Sequence, residues 1–379
     1  MLNQEQQIFK QIEKATSILI AFPKSGEGEA LSTALAWFLF LKKSGKNVEI
    51  AGGQSANRKA WSFLPAFESL QDQLDNLRKF IVSLNIKNAK IGQIKYVVEN
   101  DTLNFIISPK SGWLQAEDIS SSSSGFKYDL IIVIGSPDLE SLGDLYDQNV
   151  EFFYKTTIIN LDNHPDNEEY GQINFIDLNV LSLAEASFSL FKNHNAALID
   201  PDIATCLLAG IIARTKNFKT PNLTPRILLS TSELIDLGAK REEIVDRLYR
   251  SKGLSALKLW GQVLNSLQTE AGNHLVWSTL DASQLAPGYD PENDLIDIID
   301  ELIINIPETK IIVTFYPGET LGETRALVYA IKNLKLREIF SAYQPSGALK
   351  AIKITIPKNL TNATAEIIEL AKKTLVKIV

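Results

Sequence analysis

Asp162, Asn163 and His164 follow directly on an apolar run that ends near Leu161. Strand ends in open parallel sheets are where ligands bind, and a carboxylate beside an imidazole can steer a proton or hold a metal. The chain has three histidines, at 164, 194 and 274, so His164 is scarce chemistry in a favourable place. An Asx turn carrying a surface histidine is the plainer reading of the same residues. His194 in KNHN and His274 in AGNH sit in loop-like surroundings and are not expected to catalyse. A second cluster is Glu27-Gly28-Glu29, between an apolar strand and a helix. Two carboxylates separated by a glycine can supply hard oxygen ligands to a metal. They can equally be first-turn acids that complement a helix dipole, and composition alone favours that reading. Arg214, after ATCLLAGIIA, is a helix-end cation or a phosphate anchor. Asp138 and Asp177 also lie near strand ends, while Asp166 carries little weight from spacing alone. No Walker loop, dinucleotide fingerprint, paired cysteine ligands or Ser-His-Asp arrangement occurs. Cys206, the single cysteine, falls in the apolar run 203–212 and reads as core filler.

The elements that must position these residues alternate. Residues 4–14 read as a helix, 17–22 as a buried strand, 30–43 as a helix closed by Gly45, and 48–51 as a strand. Strand, helix and strand within that span predict a parallel βαβ unit. Strands follow at 130–134 and 156–161, and helices at 182–192, 201–214, 224–237 and 241–268. Between them, 80–119 has another texture, with a hairpin of 91–98 and 103–107 around Glu99, Asn100 and Asp101. The serines of 120–124 read as a mobile linker loop. Gly, Pro and acidic residues recur over 282–294 and suggest a connector. The remainder reads as strands at 311–315, 325–331 and 349–356 with helices at 336–343 and 363–375. The expectation is an α/β protein of two domains. A parallel-sheet domain with flanking helices covers 1–270, a linker 271–294, and a smaller α/β domain 295–379.

Bulk properties agree. Of 379 residues, 45% are hydrophobic and 22% charged, which argues for a globular chain rather than disorder. The net charge of -7 disfavours general affinity for phosphate backbones and membranes. The longest apolar stretch, 34–41, is too short to span a bilayer, and the charged start is unlike a signal peptide. A cytoplasmic location is the expectation.

The order of motifs resembles the DHH/DHHA1 phosphoesterase family, above all its small members that degrade short oligoribonucleotides and dephosphorylate adenosine bisphosphate. The resemblance covers nearly the whole chain except 80–119, which reads as an insertion. The family's first motif, His-x-x-Pro-Asp-Gly-Asp-Ala, puts its metal-binding histidine on Pro23 and its aspartates on Glu27 and Glu29. The bridging aspartate falls on Gly135 in YDLIIVIGSPDLESLG, and Asp-His-His becomes Asp162-Asn163-His164. The last metal-binding aspartate falls on Arg214, within Gly210 to Phe218. Ser182 and Glu185 keep the polar pattern of the helix that follows the third motif. In the second domain, the substrate-holding Arg-Ser pair and Gly-Gly-Gly-His loop fall on Ala330-Ile331 and on Gln344-Pro345-Ser346-Gly347-Ala348.

In that family two Mn²⁺ or Mg²⁺ ions activate water and neutralise charge on the phosphoryl group. The resemblance leaves Glu27, Glu29 and His164 as metal-ligand candidates, with Asp162 beside them as an ancestral-site residue. Pro23, Gly135, Asn163 and Arg214 depart from the pattern. Arg214 is expected to stand in for a cation and to pair with Glu29 or Asp162, and with Thr215 and Lys216 to offer an anion site. The reading that follows is a non-catalytic relative, binding or structural, that uses the old interdomain cleft or the inserted segment. The alternative is a metal-dependent phosphoesterase acting on short oligonucleotides or nucleoside bisphosphates through an altered metal site. No cofactor is expected under the first reading, and Mn²⁺ or Mg²⁺ under the second. Expected partners are a protein or a second copy of the chain, with 80–119 as the surface, or a small nucleotide. No membrane is expected.

Overall fold

A computed structural model describes residues 3–23, 28–53, 58–249, 253–285, 291–318, 320, 322–331, 334–347 and 351–376. The chain divides into two compact units, 1–250 and 251–379.

The first unit opens with helix α1 (Gln4–Lys14), started by a capping box between Asn3 and Gln6. Strand β1 (Ser17–Phe22), helix α2 (Glu29–Lys43) and strand β2 (Asn47–Gly52) form the expected βαβ unit, with β1 and β2 parallel. There follow β3 (Leu70–Gln71), β4 (Arg78–Leu84), β5 (Ala89–Glu99), β6 (Thr102–Gly112), β7 (Ile119–Phe126) and β8 (Leu130–Ile134). Short helices α3 (Asp144–Asp147) and α4 (Val150–Lys155) lead to β9 (Thr157–Asp162) and β10 (Ile173–Ile176). Helices α5 (Leu183–Asn195), α6 (Pro201–Arg214), α7 (Pro225–Asp236) and α8 (Arg241–Tyr249) complete the unit.

Its main sheet has the order β10-β9-β8-β1-β2-β3, parallel throughout. Strand direction of growth reverses between β1 and β8, so a crevice opens beyond their C-terminal ends. The β1 and β8 side chains are all buried because both sheet faces are covered. Ile18, Ile20, Ile132 and Ile134 join the core under α2, α5 and α6. Leu19, Ala21, Ile131 and Val133 join a second core with Leu145, Phe152 and Phe153 of α3 and α4. Helices α2 and α6 approach closely at Gly210, where a β-carbon would lie 2.9 Å from Ala184 Cβ and 3.3 Å from Thr33 Oγ1. Cys206 is fully buried in this core, and burial pushes its thiol pKa upward.

The insertion runs from β4 to β7 and forms two separate two-stranded ribbons, β4-β7 and β5-β6. The serine run is therefore not a loop. It lies in β7, whose backbone ladders with β4, and pairing overrides a composition that reads as linker.

In the second unit, α9 (Leu254–Asn265), β11 (Gln268–Glu270), β12 (Leu275–Thr279) and α10 (Glu292–Glu301) precede β13 (Ile311–Pro317) and β14 (Thr324–Ala330). Then come α11 (Leu336–Ile339), β15 (Ser346–Gly347), β16 (Ala351–Ile356) and α12 (Leu360–Val376). The mixed sheet has the order β11-β12-β13-β14-β16-β15. Helix α12 covers one face through Ala363, Ile367 and Ala371, and α9 and α10 cover the other through Val263, Leu295 and Ile299. The expected boundary and linker at 271–294 are corrected by this arrangement. Leu275–Thr279 is a strand paired in parallel with β13, so the second unit begins some twenty residues before the expected linker. The helix expected over 241–268 is two helices, one in each unit. Among the described residues no helix is long and apolar enough to cross a membrane.

Candidate functional site

The crevice at the sheet reversal collects the sequence candidates of the first unit. β1 ends one residue before Pro23, β8 ends one residue before Gly135, and β9 ends on Asp162. Glu29 opens α2 and Arg214 closes α6. Glu27 lies outside the described residues.

Asp162 is fully buried, with both oxygens engaged. Oδ1 accepts from Asn163 N at 2.8 Å and faces His164 Nδ1 at 2.6 Å. Oδ2 accepts from Asn167 Nδ2 at 2.6 Å. The carboxylate fixes the imidazole orientation and holds the His164 pKa above its ordinary value, partly offset by burial and by the Arg214 charge. With Nδ1 on Asp162, the ring nitrogen left for other work is Nε2.

Glu29 Oε1 accepts from Leu183 N at 2.6 Å, and Oε2 lies 3.6 Å from Arg214 Nε. The same Nε donates to Leu181 O at 3.1 Å. Burial raises the Glu29 pKa, against the hydrogen bond with Ser182 and the charge of Arg214. Of the two partners anticipated for Arg214, the structure selects Glu29. The guanidinium remains 44% exposed, close enough to lower the His164 pKa, so a cation and an imidazole share one edge of the crevice.

Gly135 shows why no bridging carboxylate fits here at little cost. Its φ is +68°, and a β-carbon would meet Ala30 Cβ at 3.1 Å. Asp138 caps a short turn through Ser141 N, and Asp177 accepts from Asn179 N, so neither substitutes for the bridge. Thr215 faces inward, donating to Ile211 O at 2.7 Å and accepting from Phe218 N. Its hydroxyl ends α6 rather than reaching the crevice, which corrects its reading as an anion ligand. Lys216 follows at φ 47° in a left-handed turn. His194 stacks on Phe9 with centroids 3.8 Å apart, and His274 Nδ1 meets Glu308 O, so neither joins the site.

Sequence reasoning missed Asn167, which ties Asp162 to Ser136 O and accepts from Asn160 Nδ2. It also missed Tyr170, whose hydroxyl donates to Ser136 O at 2.9 Å. Asn167 stands five residues after Asp162 in the same loop, the one hint available. Glu185, retained by motif, is 1% exposed and paired with Arg226 Nε at 3.1 Å.

The described residues do not fit a pair of divalent ions. Both Asp162 oxygens are hydrogen-bonded, Glu29 is held by an amide and a guanidinium, and no group of three or more His, Cys, Asp or Glu converges among them.

No protein-family model matches the chain. A 123-residue stretch is 32% identical to the bifunctional oligoribonuclease and PAP phosphatase NrnA of Thermus thermophilus, covering 32% of this chain and 37% of that protein. The same-named protein of Bacillus subtilis is 29% identical over 113 residues, 29% of this chain and 36% of the relative. The matched stretch thus spans little more than a third of these curated relatives. Among solved structures, an exopolyphosphatase-related protein from Bacteroides fragilis superposes with a TM-score of 0.66 at 14% identity, over 98% of this chain and 96% of that one. The chain resembles the DHH/DHHA1 phosphoesterases. The fold shared with the Bacteroides fragilis structure is a parallel-sheet domain followed by a smaller mixed-sheet domain, which is what the resemblance implies. The NrnA relatives carry enzyme names, so the comparisons lend more to the alternative of an altered phosphoesterase than to the non-catalytic reading.

Proposed function

We propose that this chain acts on phosphate esters of the nucleotide class, short oligonucleotides or nucleoside bisphosphates, through a DHH site in which a protein cation replaces metal charge. The observation that carries the reading is the Arg214–Glu29 pair beside an imidazole held by Asp162, at the sheet's reversal point. Arg214 offers the planar fork that suits a phosphate. His164, kept protonated to higher pH by Asp162, stabilises the same anion and can protonate a leaving oxygen from Nε2. Water adds to phosphorus, the P–O bond breaks, the leaving oxygen takes the imidazolium proton, and the attacking water's proton restores it. The proposed step uses only these side chains, since the described residues do not fit a pair of divalent ions.

The test is release of mononucleotide from a short oligoribonucleotide, or of phosphate from adenosine bisphosphate, in EDTA and in Mn²⁺. Turnover that survives EDTA and falls at least tenfold in both His164→Gln and Arg214→Ala supports the reading; turnover unaffected by either substitution sinks it. A second reading, binding without turnover, is favoured by the loss of ligands at Pro23, Gly135 and Arg214. It predicts nucleotide affinity by calorimetry, lost in Arg214→Ala, with no product. Absence of both binding and turnover removes both readings.

A further inference from the structure

Between the edge strand β11, its neighbour β12 and helix α12, the second unit holds a pocket of about 470 Å³, a volume that suits a small molecule. Trp277 of β12 lines it, its ring set edge-on to Phe315 with centroids 6.5 Å apart. The Trp277 Nε1 is closed to solvent and finds no acceptor among the described residues. A buried indole N–H ordinarily has one. Those of Trp37 and Trp260 donate to Ser187 Oγ at 3.0 Å and to Asp294 O at 3.1 Å. Thr364 of α12 lines the same pocket, and its Oγ1 is likewise buried without a partner among the described residues. Thr374 of the same helix shows the usual solution, donating back to Leu370 O at 3.0 Å. A buried polar group left unpaired is costly, and two of them in the lining of one pocket point to a ligand that satisfies both.

We infer that this pocket binds a flat, uncharged ring carrying an amide or lactam group. The indole nitrogen only donates, so it calls for a carbonyl oxygen. A hydroxyl donates and accepts, so Thr364 can meet that oxygen or the amide N–H beside it. Leu360, Ile368 and the Trp277 ring supply the apolar walls for the ring itself. The charges in the lining are already paired, Glu270 with Lys372 at 2.9 Å and Glu369 with Lys373 at 3.6 Å. Neither a cation nor an anion therefore finds an uncompensated partner, and a neutral ligand is selected. The Glu270–Lys372 pair joins β11 to α12 with both side chains more than a third exposed. A pair of that kind yields readily, so strand and helix part at little cost to admit a ligand to the two buried atoms. The site shares no residue with the crevice of the first unit.

Benzamide is the probe, titrated into the full chain from about 0.1 to 20 mM, a range that brackets the millimolar affinity of so small a ligand. The chain has five tryptophans, and the indole N–H signal of Trp277 is identified in the NMR spectrum by its loss in Trp277→Phe. Benzamide should shift that signal saturably and leave the other indole signals in place. Followed at the Ile368 methyl, affinity should fall about fivefold or more in Trp277→Phe, which keeps an aromatic ring and loses the donor. Thr364→Val, which keeps the shape and loses the hydroxyl, should weaken binding likewise, and it decides alone if Trp277→Phe lowers the melting temperature. Benzoate should bind about tenfold or more weakly than benzamide, because its charge has no partner. A Trp277 signal that stays in place to the end of the titration overturns the proposal. So does benzoate binding as well as benzamide, or a folded variant that binds benzamide as tightly as the wild type.

Discussion

At the residue scale, the site is decided by what surrounds each titrating group. His164 gains a buried partner on folding, so its folded pKa lies above the ordinary 6.5. A group with a raised folded pKa contributes stability that is complete below its unfolded value and is lost as pH rises through the folded value. Denaturant unfolding from pH 6 to 9 should therefore show the wild type losing stability relative to His164→Gln as pH rises. A histidine NMR titration should find the midpoint moved down in Asp162→Asn; no movement would detach the two residues. Restoring family residues tests the neighbouring pair. Arg214→Asp sets a second carboxylate beside the largely buried Glu29 and should lower the urea midpoint more than Arg214→Ala, which only removes the cation. Gly135→Asp forces a side chain into a left-handed position against Ala30 and should cost about 1–2 kcal/mol, read as a lower urea midpoint.

At the element scale, the sequence was most legible where the period was strong. The apolar runs of β1, β8, α2 and α6 announce themselves, because both faces of the sheet are covered and nearly all of β1 and β8 is apolar. The serine strand β7 does not, since its reason for being extended is its partner β4, whose Leu84 and Arg78 pair with Ile119 and Phe126 across the whole insertion. The site was legible to the same degree. His164, Asp162 and Arg214 were named from residue type and motif order, and charge left Glu29 and Asp162 both open as partners of Arg214, of which the structure has Glu29. Asn167 was not, because a neutral amide becomes informative only when two elements meet on it. Gly210→Ala drives a methyl against Ala184 and Thr33 where α6 crosses α2. Overpacking of this kind costs about 1–3 kcal/mol, and guanidinium unfolding should show it as a lower midpoint with an unchanged m-value.

At the scale of the whole molecule, the two units differ in what they hold. Asp162, His164, Glu29 and Arg214 all belong to the first, with its two cores on either face of the parallel sheet. The second has its own pair of cores, one under α12 and one under α9 and α10. Each unit has apolar cores of its own, which is what independent folding requires. Fragments 1–250 and 251–379 should each unfold cooperatively in urea, with m-values that scale with their sizes. A cut placed instead after residue 270 strips α9 and β11 from the second sheet and removes Leu259, Trp260 and Val263 from its core. The fragment 271–379 should then bind hydrophobic dye and lose its sharp transition. The contrast between the two cuts also separates fold from site. Fragment 1–250 should keep the raised His164 titration, because every group that shifts it lies within that unit. If the titration returned to its ordinary position in a fragment that still unfolds cooperatively, the Asp162–His164 contact would depend on the second unit, and the first would not be a self-sufficient site.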